Sequence, residues 1–167
     1  MLELMKERYS VRKFSGKEIE PEKLDKILEA GRIAPTAKNS QPQRIYAVKS
    51  PDMMERLKAG SPCLYGAPVV LVVAYEDSEV FHRGDCPEKN SGDQDASIVG
   101  THMMLEAWSL GVGSCWVNMF DEEAVREALN LPLSQHVVFL LPIGYPDMGP
   151  SARHADRKPL EETTFIV

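Results

Sequence analysis

Two arginines four residues apart, with hydroxyl groups between them, are the first residues with an evident chemical use. Arg8, Tyr9, Ser10 and Arg12 follow a stretch, residues 2–8, that we expect to form a short helix. A guanidinium can pair with two phosphate oxygens at once, and a serine hydroxyl can add a hydrogen bond. The group therefore indicates a phosphate site. Basic residues favoured by the dipole at the end of a helix are an equally simple interpretation.

A second group is the turn-rich stretch 34–42, which is dense in amides and hydroxyls. Thr36, Asn39 and Gln41, together with the backbone at Ala37, can hydrogen-bond the edge of a heteroaromatic ring or a polyol chain. An ordinary loop capped by its own asparagine and serine explains the same composition.

A third group follows two glycines, Gly111 and Gly113, and consists of Ser114, Cys115 and Trp116. Glycines allow the backbone to approach a flat ligand closely, and the amides that follow can bond its edge. The alternative is that Trp116 is a plain core residue. The apolar surroundings of Cys115 predict a buried, unreactive thiol.

A fourth group is the pair Arg157 and Lys158, which precedes a proline near the C-terminus. Two adjacent cations can meet a phosphate. A solvated, charged tail is the alternative.

Familiar catalytic motifs are missing from the sequence. It contains no GxGxxG after a strand, no GxxxxGK[ST] and no GxSxG, and its four histidines lack the spacing of metal ligands. We therefore predict neither a catalytic side chain nor a metal site. An enzyme of this kind leaves the chemistry to a cofactor.

The helices and strands that must position these groups do not alternate regularly along the chain. The apolar run 69–74 predicts a strand buried on both faces, and we expect further strands at 44–49, 114–117 and 137–143. Pro142 indicates that the last strand ends at a sheet edge or irregularity. Pro21 and Pro51 are typical of helix starts, with the helices ending before Pro35 and near Gly60. Residues 76–93 are predicted to be an exposed loop.

One predicted helix is apolar on two faces. It starts near Asp93 or Asp95, either of which is a plausible N-cap, and ends at Gly111. Ala96, Val99, Met103, Ala107 and Leu110 share one face, whereas Ile98, Leu105 and Trp108 share another. Both faces need cover, from a second subunit or from within one monomer. The apolar end of the chain, residues 165–167, likewise favours docking on the sheet edge of a partner.

Bulk properties narrow the class of protein. A length of 167 residues predicts a single domain, 1–167, and a net charge of −6 argues against nucleic acid or an anionic membrane as the main partner. Three widely spaced cysteines do not suggest a disulfide framework. No signal peptide and no run of about 18 apolar residues is visible. These features predict a cytoplasmic protein.

The order of the four groups closely resembles the nitroreductase family. RxSxR at 8–12, PTAxNSQPQ at 35–43, LGxGSCW at 110–116 and RKPLEE at 157–162 follow one another from about Leu4 to the C-terminus. The resemblance implies an α+β protein with a three-layer α-β-α fold, in which helices flank a mixed central sheet. It also implies an intertwined homodimer with FMN at the subunit interface.

The resemblance assigns roles to the matched positions. Arg8, Tyr9, Ser10 and Arg12 look like the segment that holds the FMN phosphate and ribityl chain, although Arg12 can instead reach the pyrimidine end of the flavin. The loop contributed by the other subunit would use Thr36, Ala37, Asn39 and Gln41. Ser114, Cys115 and Trp116 look like the stretch beside the isoalloxazine, and Arg157 with Lys158 looks like the last phosphate ligand. This sequence departs from the family at Gln43, where an aromatic residue is common, and at Tyr9, where a basic one is frequent.

The implied activity is two-step hydride transfer. NADH or NADPH would deliver hydride to flavin N5, and a small electron-poor acceptor, such as a nitroaromatic or a quinone, would then be reduced in the same pocket with ping-pong kinetics. Reductive dehalogenation and flavin fragmentation are alternatives on the same scaffold. Another is a flavin-binding or redox-sensing protein with negligible turnover. An acidic interaction module without a cofactor is the remaining alternative.

Overall fold

The structure, a computed structural model, describes the backbone of residues 1–167 and every side chain except that of Pro87. The helices are α1 (Leu2–Glu7), α2 (Pro21–Arg32), α3 (Pro51–Gly60), α4 (Gly92–Ser109) and α5 (Glu122–Leu129). The strands are β1 (Gln43–Val48), β2 (Val69–Glu76), β3 (His82–Arg83), β4 (Cys86–Asn90), β5 (Gly113–Ser114) and β6 (Gln135–Gly144). The predicted helix starts at Pro21 and Pro51 are confirmed.

A central sheet carries the strands in the order β1-β2-β6-β5, and neighbouring strands run antiparallel. An isolated parallel bridge between Ser10 and Ser114 adds the N-terminal segment beside β5 and makes the sheet mixed. A second, two-stranded sheet pairs β3 with β4.

The buried strand β2 separates two hydrophobic cores. Val69, Leu71 and Val73 belong to a core that α2 and α4 cover, with Ile27 and Met103 among its members. Val70, Val72 and Ala74 face the opposite way, into a core that α3 and α5 cover. This alternation is the strand period of two, applied to a strand that is buried on both sides. The predicted three-layer α-β-α arrangement is confirmed.

Pro142 lies inside the sheet rather than at its edge, because β6 has a neighbour on each side. Its carbonyl oxygen accepts a hydrogen bond from the Cys115 backbone N–H at 3.1 Å, on the side of β5. In a strand the N and O of one residue point to the same side. The missing N–H of Pro142 therefore interrupts the pairing with the two-residue β5, whereas Pro142 still pairs with Val70 of β2.

Two expectations about the region before α4 are wrong. Residues 76–93 do not form a plain loop, because β3 and β4 pair as a short hairpin within them. Neither Asp93 nor Asp95 is the N-cap of α4, which is Ser91. Asp95 lies in the first turn of the helix and is buried.

Helix α4 is covered on one of its two apolar faces. Ala96, Val99, Met103 and Ala107 are fully buried against the sheet and α2. On the other face Ile98 is 38 % exposed, and Leu105 and Trp108 are half-buried. The chain by itself therefore leaves this second face partly open. None of the helices in the described chain is long and apolar enough to cross a membrane.

Candidate active site

Two distant segments of the chain, 8–12 and 151–157, meet in a shallow depression with a volume of about 200 Å³. Its lining, which we call the basic depression, comprises Arg8, Tyr9, Ser10, Arg12, Ser151, Arg153, His154 and Arg157. Four of these residues are arginines, and none of the described lining residues is acidic. The predicted group at 8–12 and Arg157 are thus brought together.

The arginines of the basic depression have no carboxylate partner among the described residues. In the described part of the chain, no carboxylate forms an ion pair with any of its four arginines. The chain as a whole carries a net charge of −6, so this concentration of cations is local. Like charges held close together repel one another, and a bound anion relieves that repulsion. Guanidinium groups with adjacent hydroxyls are the donors that a phosphate prefers.

Tyr9 contacts residues from several walls of the basic depression. Its hydroxyl donates to the Met148 carbonyl at 2.7 Å, and its ring lies edge-on against Trp108 of α4 with 5.1 Å between centroids. His154 packs against the same ring at 5.9 Å. The Nε2 of His154 lies 2.9 Å from the Lys6 carbonyl, which can only accept, so Nε2 carries a proton. These contacts hold α1, the end of α4 and the 148–154 segment in one arrangement.

Ser114 presents a buried hydroxyl without a protein partner next to this region. It is 2 % exposed, and no described group hydrogen-bonds its Oγ. Its carbonyl accepts from the Val11 N–H at 2.9 Å, which places it beside the 8–12 segment. Buried hydroxyls are normally hydrogen-bonded, so this atom has unused capacity for a ligand.

The two residues that follow Ser114 are held in the two cores. Cys115 is 3 % exposed, and burial raises the pKa of its thiol, with nearby Arg12 acting in the opposite direction. The neutral thiol is therefore favoured. Trp116 stacks on Phe139 with 3.6 Å between ring centroids and donates from Nε1 to Asn118 Oδ1 at 2.8 Å.

The stretch containing Thr36, Ala37, Asn39 and Gln41 forms a tight loop, which we call the 36–41 loop. The Ala37 N–H donates to Asp95 Oδ1 at 2.8 Å, and the Gln41 N–H donates to Thr36 Oγ1 at 3.0 Å. Lys38, Asn39 and Gln41 adopt left-handed backbone angles, with φ of 51°, 54° and 53°. Lysine and glutamine pay roughly 1–2 kcal/mol each for this conformation, whereas asparagine tolerates it, and such strain clusters at functional sites.

The 36–41 loop and the basic depression lie at opposite ends of α4. The loop is attached to Asp95 in the first turn, and the depression borders Trp108 in the last turn. At 1.5 Å per residue, these two positions are about 20 Å apart along the helix. One chain therefore does not bring all the predicted site residues together. Lys158 also stands apart, since it does not line the basic depression and its Nζ lies 4.0 Å from Glu162.

Three lining residues were not expected from the sequence: Ser151, Arg153 and His154. The signal was present, because Arg153 and Arg157 repeat the four-residue spacing of Arg8 and Arg12. This spacing did not indicate a site, because the segment around it is polar and cations in a charged tail are usually solvated.

A family model and similar solved structures both indicate the same family. The model of the nitroreductase family matches residues 5–61 and 58–145. A crystal structure of a nitroreductase family protein from Clostridium difficile 630 superimposes with a TM-score of 0.93 at 36 % identity, covering 99 % of this chain and 96 % of that chain. An FMN-dependent nitroreductase from Clostridium difficile R20291 superimposes with a TM-score of 0.80 at 28 % identity, covering 99 % of this chain and 98 % of that one. An NADH dehydrogenase of Thermus thermophilus is 30 % identical over 95 % of this chain and 91 % of its own length.

Proposed function

Because this chain belongs to the nitroreductase family, we propose that it is an FMN-dependent oxidoreductase that uses NADH or NADPH to reduce small electron-poor acceptors such as nitroaromatics and quinones. The basic depression carries this proposal. It gathers four arginines from both ends of the chain around a site with no acidic lining residue among those described. We further propose that residues 1–167 act as one nitroreductase-like domain.

The residues of the basic depression fit a phosphate-bearing flavin. Arg8, Arg12, Arg153 and Arg157 would hold the phosphate, and the Ser10 and Ser151 hydroxyls would add hydrogen bonds. The unpartnered Ser114 Oγ, next to Ser10 across the parallel bridge, suits a further polar atom of the same ligand. A bound FMN would supply hydride chemistry at N5, and a single pocket shared by donor and acceptor predicts ping-pong kinetics.

The side chains of the site would bind and orient the ligand, and none of them would transfer a proton. The guanidiniums would stabilise negative charge on the ligand. The His154 Nε2 proton is engaged by the Lys6 carbonyl, and the Cys115 thiol is buried and neutral. We therefore assign no side chain as general acid or base.

A homodimer would complete the site. The two halves of the predicted site lie at opposite ends of α4, and the partly open face of that helix, which includes Ile98, lies between them. Antiparallel packing of α4 against α4 of a second copy would bring each 36–41 loop to the basic depression of the partner. In a dimer with two-fold symmetry, the same surface of each copy forms the interface, so this one face of α4 is sufficient.

The C-terminal tail supports the same arrangement. Phe165, Ile166 and Val167 are all highly exposed, with Phe165 at 76 %. The outer edge of β1 has no neighbour among the described strands. A tail that adds to this edge in the partner would satisfy the unpaired backbone groups and bury the apolar end. We propose that the dimer is intertwined in this way, in the cytoplasm, where three free cysteines stay reduced.

The test is the visible absorbance spectrum of the protein after incubation with FMN and desalting, before and after anaerobic addition of NADH and then of NADPH. A retained flavin spectrum that bleaches within the mixing time supports the proposal and identifies the donor. A retained flavin that neither donor bleaches would contradict an oxidoreductase and favour a flavin-binding or sensing protein. Loss of the flavin on desalting would overturn the assignment of the basic depression. Product analysis with nitroaromatic and halogenated acceptors then separates nitro reduction from dehalogenation.

A further inference from the structure

A second cleft, with two cationic residues in its lining, lies between the hairpin β3–β4 and the start of α4. This hairpin cleft has a volume of about 250 Å³ and is lined by Phe81, Arg83, Lys89, Asn90, Ser91 and Gln94. We infer that it binds the phosphate and adenosine end of the dinucleotide that donates hydride. This inference rests on the proposed function.

The lining of the hairpin cleft suits a phosphorylated aromatic ligand. Two residues are cationic, one is aromatic, and no described lining residue is acidic. The Arg83 guanidinium is already paired, because its Nε and Nη2 donate to the Asp85 carboxylate at 2.7 and 2.8 Å. Lys89, in contrast, forms no ion pair in the described part of the chain. Lys89 is therefore the cation available to a phosphate, and the Phe81 ring can stack on a base.

The hairpin cleft adjoins the 36–41 loop, which in the proposed dimer reaches the basic depression of the partner subunit. The Lys38 ammonium of the 36–41 loop lies 4.6 Å from the centre of the Phe81 ring. Ser91 lines the cleft and donates from Oγ to Asp95 at 2.6 Å, and the same carboxylate accepts from Ala37. A ligand that extends from beneath the 36–41 loop would thus enter the cleft directly.

The hairpin cleft is too small for a whole dinucleotide. Pockets that enclose a complete drug-sized ligand span roughly 300–1,000 Å³. The cleft, at about 250 Å³, is smaller than that. A donor dinucleotide has its reactive ring at one end and its phosphates and adenosine at the other, so only the second part needs this space. A nitroaromatic or quinone acceptor is small enough to fit there as well, but it carries no phosphate for Lys89.

The first test compares two hydride donors in the Lys89→Gln variant. NADPH carries phosphates, whereas 1-benzyl-1,4-dihydronicotinamide has the same reactive ring and none. We expect the KM for NADPH to rise about tenfold relative to the KM for the phosphate-free donor, the effect of losing one charge-assisted contact. Lys58→Gln on α3, which removes an exposed lysine paired with Glu55, should leave the ratio of the two KM values at that of the wild type. An unchanged ratio in Lys89→Gln overturns the inference.

The second test does not depend on turnover. ADP-ribose has the phosphates and adenosine of the donor but no nicotinamide. In the FMN-loaded full chain, we expect it to shift the backbone amide resonances of Lys89, Asn90 and Gln94, and to bind about tenfold more weakly to Lys89→Gln. Stronger perturbation of these amides by 4-nitrobenzoate, or none by ADP-ribose, would overturn the inference. If the protein retains no flavin, the proposed function fails, yet the same titration of the full chain still decides what the hairpin cleft binds.

Discussion

Asp95 and Ala37 are joined by a buried hydrogen bond in which the Ala37 N–H donates to the Asp95 carboxylate at 2.8 Å. The second oxygen of Asp95 accepts from the Ser91 hydroxyl at 2.6 Å, and the residue is 2 % exposed. One carboxylate therefore connects the start of α4, the hairpin cleft and the strained 36–41 loop. A buried carboxylate is tolerated when its oxygens are hydrogen-bonded in this way.

Replacement of Asp95 by Asn tests this connection. An asparagine oxygen can still accept from the Ala37 N–H, but its NH2 group can only donate to Ser91 Oγ, so the Ser91 hydroxyl hydrogen loses its acceptor. We expect the free energy of unfolding to fall by about 1–3 kcal/mol, the cost of a buried hydrogen-bonding group that loses its partner. Urea denaturation measures this change. Asp93→Asn, at an exposed position of the same helical turn, is the matched control, and equal losses in the two variants would contradict the role of Asp95.

Removal of Arg8 tests the proposed phosphate site. Arg8→Ala deletes one unpaired guanidinium from the basic depression. Retention of FMN should weaken by about 1.5–3 kcal/mol, the contribution of a charge-assisted hydrogen bond. Fluorescence titration of the desalted protein with FMN gives the dissociation constant. Unchanged affinity would remove Arg8 from the site, and Arg32→Ala, on an exposed part of α2, controls for the lost charge.

The neighbours Arg157 and Lys158 should differ in their effect on FMN. Arg157 lines the basic depression, whereas Lys158 is outside it and lies 4.0 Å from Glu162. We expect Arg157→Ala to raise the dissociation constant about tenfold or more, and Lys158→Ala to change it by less than about threefold, in line with the small value of exposed ion pairs. The same titration applies to both variants. A larger effect of Lys158→Ala would show that the tail approaches the ligand differently.

Gly100 permits the close packing of α4 on two aromatic rings. A Cβ at this position would lie 2.7 Å from the Trp116 ring and would also clash with Phe139. Gly100→Ala should therefore lower the free energy of unfolding by about 1–3 kcal/mol, even though alanine favours helices. Thermal unfolding measures the loss. Gly84→Ala, where a Cβ meets nothing within 4 Å, is the control, and a stability of Gly100→Ala equal to that of the wild type would contradict the packing.

Tyr145 controls the ionisation of Glu20 at the start of α2. The Tyr145 hydroxyl donates to Glu20 and, as the largest cause, lowers its pKa from the ordinary value of 4.5 to about 2. Because the pKa is depressed on folding, the associated stability is present above pH 4.5 and is lost as the pH falls towards 2. We expect Tyr145→Phe to raise the pKa of Glu20 towards 4.5. A carboxyl-carbon NMR titration tests this, and an unchanged pKa would assign the shift to the backbone hydrogen bond of Glu20 and to Lys17.

Elements with a strong local signal were predictable. The run of β2, buried on both sides, and the prolines at the first positions of α2 and α3 gave the correct elements, because these signals act over a few residues. The hairpin β3–β4 was missed, since its charged residues and glycine are equally typical of a loop. Asp95 was misassigned as a cap, because an acidic residue near a helix start is normally one.

The sequence by itself identified the family, because the order of four short motifs depends only on local spacing, and the resemblance then implied the three layers and the candidate phosphate residues at 8–12 and 157. The tertiary structure alone decided which distant segments meet. It placed Arg153 and His154 opposite Arg8, and it set the 36–41 loop at the far end of α4 from the basic depression. Contacts of this kind depend on how both cores pack on one shared sheet, and no local pattern of residues encodes that packing.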